Sequence, residues 1–366
     1  MALQCGIVGL PNVGKSTIFN ALTESGVPAE NYPFCTIDPH VGLVNLPDSR
    51  LETLASIYKP SKVIPATVEF IDIAGLVKGA SQGEGLGNQF LGQIRQTSAI
   101  IHVIRCFEDK NITHVNGKIN PLLDAEIIEM ELLLSDISRL ERKKQQLKKT
   151  AKSGKKETLQ FLGLIDNLIE YCSKGIPSRM IKVDKDLQNL KDSLDLLTNK
   201  PILYIANVTE SNLIKGKNSK SVDSVLKLAS KNGNKAIVLC GTIEQEISSL
   251  SNNEKPVFLK EFNLSEPGLN KVVRASFDLL GLNNFFTCGE KEVRSWTINK
   301  GSTAPEGAGA IHSDFERGFI KADVFHYNDI VNHRSEKRLK ELGLIRQEGK
   351  QYLIQDGDCI FFRFNV

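Results

Sequence analysis

What the chain lacks narrows it first. No apolar run approaches the roughly 20 residues that a membrane helix needs, and no basic stretch followed by an apolar one opens the sequence as in a secretory leader. The seven cysteines, Cys5, Cys35, Cys106, Cys172, Cys240, Cys288 and Cys359, are odd in number, scattered and never in a C-x-x-C pair. That pattern speaks against a disulfide framework or a zinc site and for a reducing compartment. Neither charge sign dominates: 46 basic and 43 acidic residues leave +3, so any basic surface must be local. There is one tryptophan, no internal repeat and no low-complexity tract. A soluble, cytoplasmic chain with no membrane partner is the expectation. Its 366 residues, 41% hydrophobic and 24% charged, suffice for two or three domains with ordinary cores.

What is present is an alternation of strand-like and helical runs. Strands are expected at Gln4–Leu10, Val41–Leu46, Thr67–Ile73, Ala99–Cys106, Pro201–Asn207 and Lys235–Leu239. Several are near-continuous apolar runs, as in strands covered on both faces, so an α/β domain with a mostly parallel sheet is predicted over residues 1–280. An insertion at about 122–200 reads as a coiled-coil-like hairpin. Leu133, Ile137, Leu140 and Leu147 form one helical stripe, and Phe161, Ile165 and Leu168 another. Its tip, Arg142 to Lys156, carries eight Lys/Arg and no acid. Beyond a helix at Leu269–Leu280 the texture changes, and residues 282–366 read as a separate small α+β domain with short alternating runs at Gly318–Val324, Gln351–Ile354 and Ile360–Phe364.

The most specific signal is Gly9-Leu-Pro-Asn-Val-Gly-Lys-Ser-Thr17, which fits the phosphate-binding pattern G-x-x-x-x-G-K-[ST] between a strand and a helix. Its amide N–H groups, from Asn12, Val13 and Gly14 through Thr17, should cradle phosphates. Lys15 should meet the β/γ-phosphates, and the Ser16 hydroxyl should ligate Mg²⁺. Downstream, Asn31-Tyr-Pro-Phe-Cys-Thr36 offers Thr36 as a second hydroxyl ligand for the metal. Asp72-Ile-Ala-Gly75 ends the third strand, where Asp72 would hold Mg²⁺ through water and the Gly75 N–H would approach the γ-phosphate. The residue after Gly75 is Leu76, where a Ras-type site has a water-orienting Gln. His114 is the nearby imidazole to test for that task, against the alternative of a solvated loop histidine. Asn12 is placed to offer its carbonyl to a monovalent cation, which makes K⁺ stimulation an expectation, against the alternative that it simply stabilises the loop.

The end of the fifth strand bears on the base. Guanine-specific sites there read Asn-Lys-x-Asp; this chain reads Asn207-Val208-Thr209-Glu210. Val208 replaces the Lys that covers the base, and Glu210 the Asp that accepts from guanine N1–H and the 2-amino group. A pocket without those groups loses its reward for guanine, so ATP is the expected ligand.

The stretches GLPNVGKST, NYPFCTIDP, DIAGLVKGASQGEGLGNQFL and NVTE together resemble the YchF/Obg-like ATPases, a branch of the translation-factor class of P-loop proteins. The resemblance runs essentially the whole length. Ala308 to Ile320 looks like part of a TGS domain, a ubiquitin-like β-grasp module. The resemblance implies an Mg²⁺-dependent ATPase that prefers ATP to GTP, is slow on its own, and binds the ribosome in translation or stress control. On this sequence it implies Asn12 to Thr17 and Thr36 at the phosphates and metal, and Asn207, Val208 and Glu210 at the base. Ribosomal RNA contacts would come from the TGS domain and the basic hairpin tip of a monomer. Two other readings stay open: a GTP-specific GTPase of the same fold, and a non-catalytic RNA- or ribosome-binding module gated by nucleotide.

Overall fold

The computed structural model describes residues 4–24, 40–73, 86–109, 112–113, 118–150, 156–214 and 219–365. The chain divides into two compact units: Met1–Leu43 with Glu69–Ser276, and Val44–Val68 with Phe277–Val366.

The first unit is built on a six-stranded sheet. In chain order its strands are β1 (Gln4–Val8), β2 (Val41–Asn45), β4 (Thr67–Asp72), β5 (Ala99–Arg105), β6 (Ile202–Asn207) and β7 (Lys235–Leu239); β3 (Lys62–Ile64) belongs to the other unit. Their order across the sheet is β2-β4-β1-β5-β6-β7, and the ladders from β4 to β7 are parallel. β5 and β6 are buried at every position, as their unbroken apolar sequences require. Helices α1 (Lys15–Glu24), α3 (Leu86–Gln96), Lys220–Lys231 and Gly268–Leu279 accompany the strands; α2 (Ser49–Tyr58) lies in the second unit. Parallel strands put their C-terminal ends on one edge, where ligand loops of open α/β sheets gather.

The insertion forms helices α4 (Pro121–Thr150) and α5 (Lys156–Ser173). All seven apolar positions expected on its two stripes pack in one cluster around Leu140, Ile165 and Leu168. A buried carboxylate ties α4 to the root of the insertion: Asp136 accepts from the N–H groups of Leu197 and Thr198 at 2.8 Å and from the Thr198 hydroxyl at 2.7 Å. Residues 151–155 of the basic tip lie outside the described residues.

The second unit carries a sheet ordered β11-β10-β12-β8-β9-β3, where β8 is Leu282–Cys288, β9 Glu292–Asn299, β10 Phe319–His326, β11 Arg346–Glu348 and β12 Asp358–Phe364. β8 and β9 pair antiparallel, as do β10 and β12, while β12 runs parallel to β8. Apart from β3, the order is second, first, last, third, fourth, with helix Ala304–Ile311 after the second strand. That is the strand order of a ubiquitin-like β-grasp. One face packs on that helix through Phe285, Val324, Ile360 and Phe362. The other packs on α2 and on Tyr327–His333 through Phe286, Phe325 and Cys359, against Leu51, Leu54 and Ile330.

Two expectations change here. Residues 44–68, placed by sequence with the first domain, pack in the second unit. Arg50 anchors them, bridging Asp48 at 2.8 Å and Asp356 at 2.7 Å. Gln351–Ile354 is not a strand but a turn with one bridge, Thr303 to Leu353. The Tyr352 hydroxyl turns inward to Asp358 at 2.7 Å, which breaks the alternation that suggested a strand. Five of the six described cysteines are buried, and burial pushes the Cys5, Cys106 and Cys172 thiols up to about 12, as suits packing rather than reactivity.

Candidate nucleotide site

The loop between β1 and α1 has a backbone that few residues can follow. Gly14 sits at φ +89°, and a side chain there would run into the Asn207 amide. A Cβ on Gly9 would come within 2.8 Å of the Val103 carbonyl. Asn12 also adopts a left-handed φ of 63°, tolerable for Asn, and its amide donates to the Thr113 carbonyl at 3.2 Å. The helical ladder begins with Ile18 N–H to the Gly14 carbonyl at 3.1 Å, so the N–H groups of Lys15, Ser16 and Thr17 precede it. Free N–H groups and the positive end of the helix dipole make this a site for anionic oxygens.

β4 delivers the acid. Its register sets Asp72 beside Ile7, and the Asp72 N–H bonds the His40 carbonyl at 2.9 Å. The Asp72 carboxylate pairs with the Lys15 ammonium, and its other oxygen lies 3.3 Å from the Ser16 hydroxyl. Both charged side chains are largely enclosed, at 10% and 15% exposure. A hydroxyl and a carboxylate this close form a hard-oxygen donor set of the kind Mg²⁺ uses, with its remaining positions left to water and phosphate. Among the described residues there is no cluster of three or more His, Cys, Asp or Glu that could hold a metal.

Beside the phosphate loop lies a cavity of about 720 Å³. It is lined by Asn12, Gly14, Lys15, Ser16 and Thr17 of the phosphate loop together with Asn207, Val208, Glu210, Gly241 and Thr242. Val208 is buried and takes its place by bonding the Leu239 carbonyl at 2.9 Å. Glu210 is exposed at the start of the short helix Glu210–Ile214. Asn207 is buried, and both ends of its amide are engaged by backbone: Nδ2 donates to the Val13 carbonyl at 2.9 Å, and Oδ1 accepts from the Gly241 N–H at 2.9 Å. It therefore staples the phosphate loop to the loop after β7, a positioning duty the sequence did not reveal. Val13 contributes that carbonyl while its side chain is buried. Glu244, in the helix Gly241–Ser249 after β7, accepts from the N–H groups of Gly268 and Leu269 at 2.8 and 3.1 Å. It is a helix cap inside the fold.

The sequence also missed a wall. Phe107, Asp109 and Ile112 line the same cavity. They are set by Arg105, a buried guanidinium at the end of β5 that donates to the carbonyls of Phe107 at 3.1 Å and Ile112 at 3.0 Å and lies 4.6 Å from the Phe107 ring centroid. A lone arginine closing an apolar strand was the available signal. Thr36, Gly75, Leu76 and His114 lie outside the described residues.

With this geometry in view, similarity decides the family. Residues 282–365 match the model of the YchF GTPase C-terminal domain, described as a protein of unknown function, and residues 4–136 match that of the 50S ribosome-binding GTPases. The ribosome-binding ATPase YchF of Haemophilus influenzae is 50% identical over the full length of both chains. The chain belongs to the YchF family. Its counterpart of the same name in Bacillus subtilis is 49% identical, again across both whole chains. The solved YchF GTPase of Schizosaccharomyces pombe superposes with a TM-score of 0.90 at 37% identity, covering 99% of this chain and 97% of that one. The YchF fold accordingly accounts for both units, the P-loop α/β unit and the smaller α+β one.

Proposed function

We propose that this YchF-family chain is a slow, Mg²⁺-dependent ATPase that associates with ribosomes and acts in translation or stress regulation. The observation that carries the nucleotide reading is the cavity lined by the phosphate-loop residues Gly14, Lys15 and Ser16 and by Val208 and Glu210, which stand where a guanine site has Lys and Asp. Its relatives' printed names, ribosome-binding ATPase, support both halves of the reading.

When bound, Mg²⁺ would supply neutralisation of the phosphate charge. Ser16 would hold it directly, joined by Thr36, and Asp72 through water. Lys15 then turns from the Asp72 carboxylate to the phosphates. The Gly75 N–H receives the γ-phosphate, and the Asn12 carbonyl offers a place for K⁺. Asn207 keeps the two loops in register, and Val208 and Glu210 meet the purine. His114 is the candidate for orienting water. Cations on α4 and in the C-terminal TGS-type unit face ribosomal RNA, and the chain acts as a monomer in the cytoplasm.

The test is hydrolysis of ATP and GTP under single-turnover conditions, with and without K⁺ and purified ribosomes, alongside co-sedimentation. ATP preferred, with ribosome-bound protein in the pellet, supports the reading; GTP preferred overturns it. A rate unaltered by His114→Ala removes that histidine from the reaction.

A further inference from the structure

By sequence Trp296 and Phe319 could stack on a base or belong to the core, with core the better reading, and both are engaged in the fold. Phe319 is a core residue. Trp296 packs on the same cluster, donates its indole N–H to Thr287 at 2.9 Å and has the Arg294 guanidinium 3.8 Å from its ring centroid. Among the described Phe, Tyr and Trp residues the most exposed ring lies elsewhere. Phe361, near the middle of strand β12, is 62% exposed.

Register explains why. Side chains alternate along β12, so Phe361 and Arg363 share the face of Cys359; Lys321 and Asp323 share that of Phe325 on the neighbouring strand. The helices covering this face pack on Cys359 and Phe325, while Phe361 and Arg363 remain exposed. Opposite pairs there are Phe361 with Asp323 and Arg363 with Lys321. Asp323 bonds Arg363 at 2.7 Å and holds its guanidinium 5.3 Å from the Phe361 ring centroid. Lys321 reaches Gln347 on β11 at 3.0 Å. A register shift between Phe319 and Lys321 turns out Ile320, 57% exposed.

We infer that this half of the sheet face is a stacking platform for single-stranded RNA, with Phe361 under a base and Lys321 and Arg363 at flanking phosphates. The inference rests on the ribosome-associated reading and names the face through which the C-terminal unit meets RNA. The chemistry is that of sheet surfaces which read unpaired strands: an open ring on an inner strand, an arginine plane beside it, and cations within one strand's width. Both neighbours of β12, β10 and β8, are already hydrogen-bonded to it, so the partner meets side chains rather than backbone. A ring left open to water beside Lys321 and the Arg363–Asp323 pair, a set that is net positive, suits a planar, anionic chain better than an apolar peptide, which would have to desolvate those charges.

The test uses the full-length protein and a labelled single-stranded RNA 12-mer, read by fluorescence anisotropy. Phe361→Ala should weaken binding by about 5- to 150-fold, the measured range for losing one base–aromatic stack, while Phe361→Tyr should retain it. Lys321→Gln should lower the salt slope of log K by about 0.7, one phosphate's worth on a single strand. ATP hydrolysis and thermal midpoint should be unchanged in all three. Equal affinity for wild type and Phe361→Ala overturns the platform, as does wild-type protein that ignores the 12-mer yet captures a peptide on this face. Ribosome co-sedimentation separates the two ideas. If wild type pellets with ribosomes and Phe361→Ala does so equally, the platform falls and the ribosome-associated reading stands; if wild type does not pellet, that reading falls.

Discussion

The two units display their functional groups in opposite ways. In the first, chemistry sits on loops at the end of a buried parallel sheet, and backbone does much of the work: N–H groups ahead of α1, carbonyls held by Arg105, and an Asn207 amide spent on two main-chain groups. In the second, chemistry sits on an open sheet face and is carried by side chains alone, Phe361, Arg363 and Lys321. A site made of backbone tolerates few residues and is spelled as a motif. A site made of side chains on a face has no motif and emerges only when register is known.

The comparison can be broken at its strongest point. Lys15→Ala removes the ammonium proposed to serve developing phosphate charge, so kcat for ATP should fall by roughly 100- to 1000-fold, with RNA 12-mer affinity unchanged. A comparable loss of RNA affinity would show that the two chemistries are not separable. Next comes Asn207→Ala, which orphans the buried Val13 carbonyl and Gly241 N–H. The protein should lose about 2–4 kcal/mol by denaturant melt and bind nucleotide more weakly. Phe361→Ala, at an exposed position, should change stability by less than about 0.5 kcal/mol, which sharpens the contrast between a residue that holds a site and one that is a site.

A smaller effect follows from His102. It is buried on β5, and burial, with Arg179 nearby, lowers its pKa from 6.5 to about 3. The unfolded chain therefore binds the extra proton between those values, and the folded chain does not. Stability is full above pH 6.5 and declines as pH falls towards 3. Between pH 7 and pH 5 the loss should be about 2 kcal/mol, seen as a falling thermal midpoint. His102→Gln should flatten that slope, and an unchanged slope would refute the assignment.

Much of the first unit could be read in advance because each element obeys a local rule. All six expected strands form within a residue or two of their bounds, since doubly covered strands need continuous apolar runs. Lys15 and Ser16 are placed by strand–loop–helix spacing, and Asp72 meets them because β4 pairs with β1 in parallel register. What escaped depended on distant partners. The amphipathic helix α2 shows Leu51 and Leu54 to a core more than 200 residues away, and nothing beside it in the chain names that core. Arg105 looked like any strand end until its carbonyl partners were placed. Asn207 could be assigned to the base by its motif, but its bonds to Val13 and Gly241 join three loops that only the sheet order brings together.

The purine is where the account is most exposed. Titration calorimetry of the full chain with ADP and with GDP, in Mg²⁺ and K⁺, measures it directly. Tighter ADP than GDP is the predicted result, on the proposed reading that Val208 and Glu210 meet the purine and do not reward guanine as Lys and Asp would; GDP held more firmly than ADP would contradict the assignment.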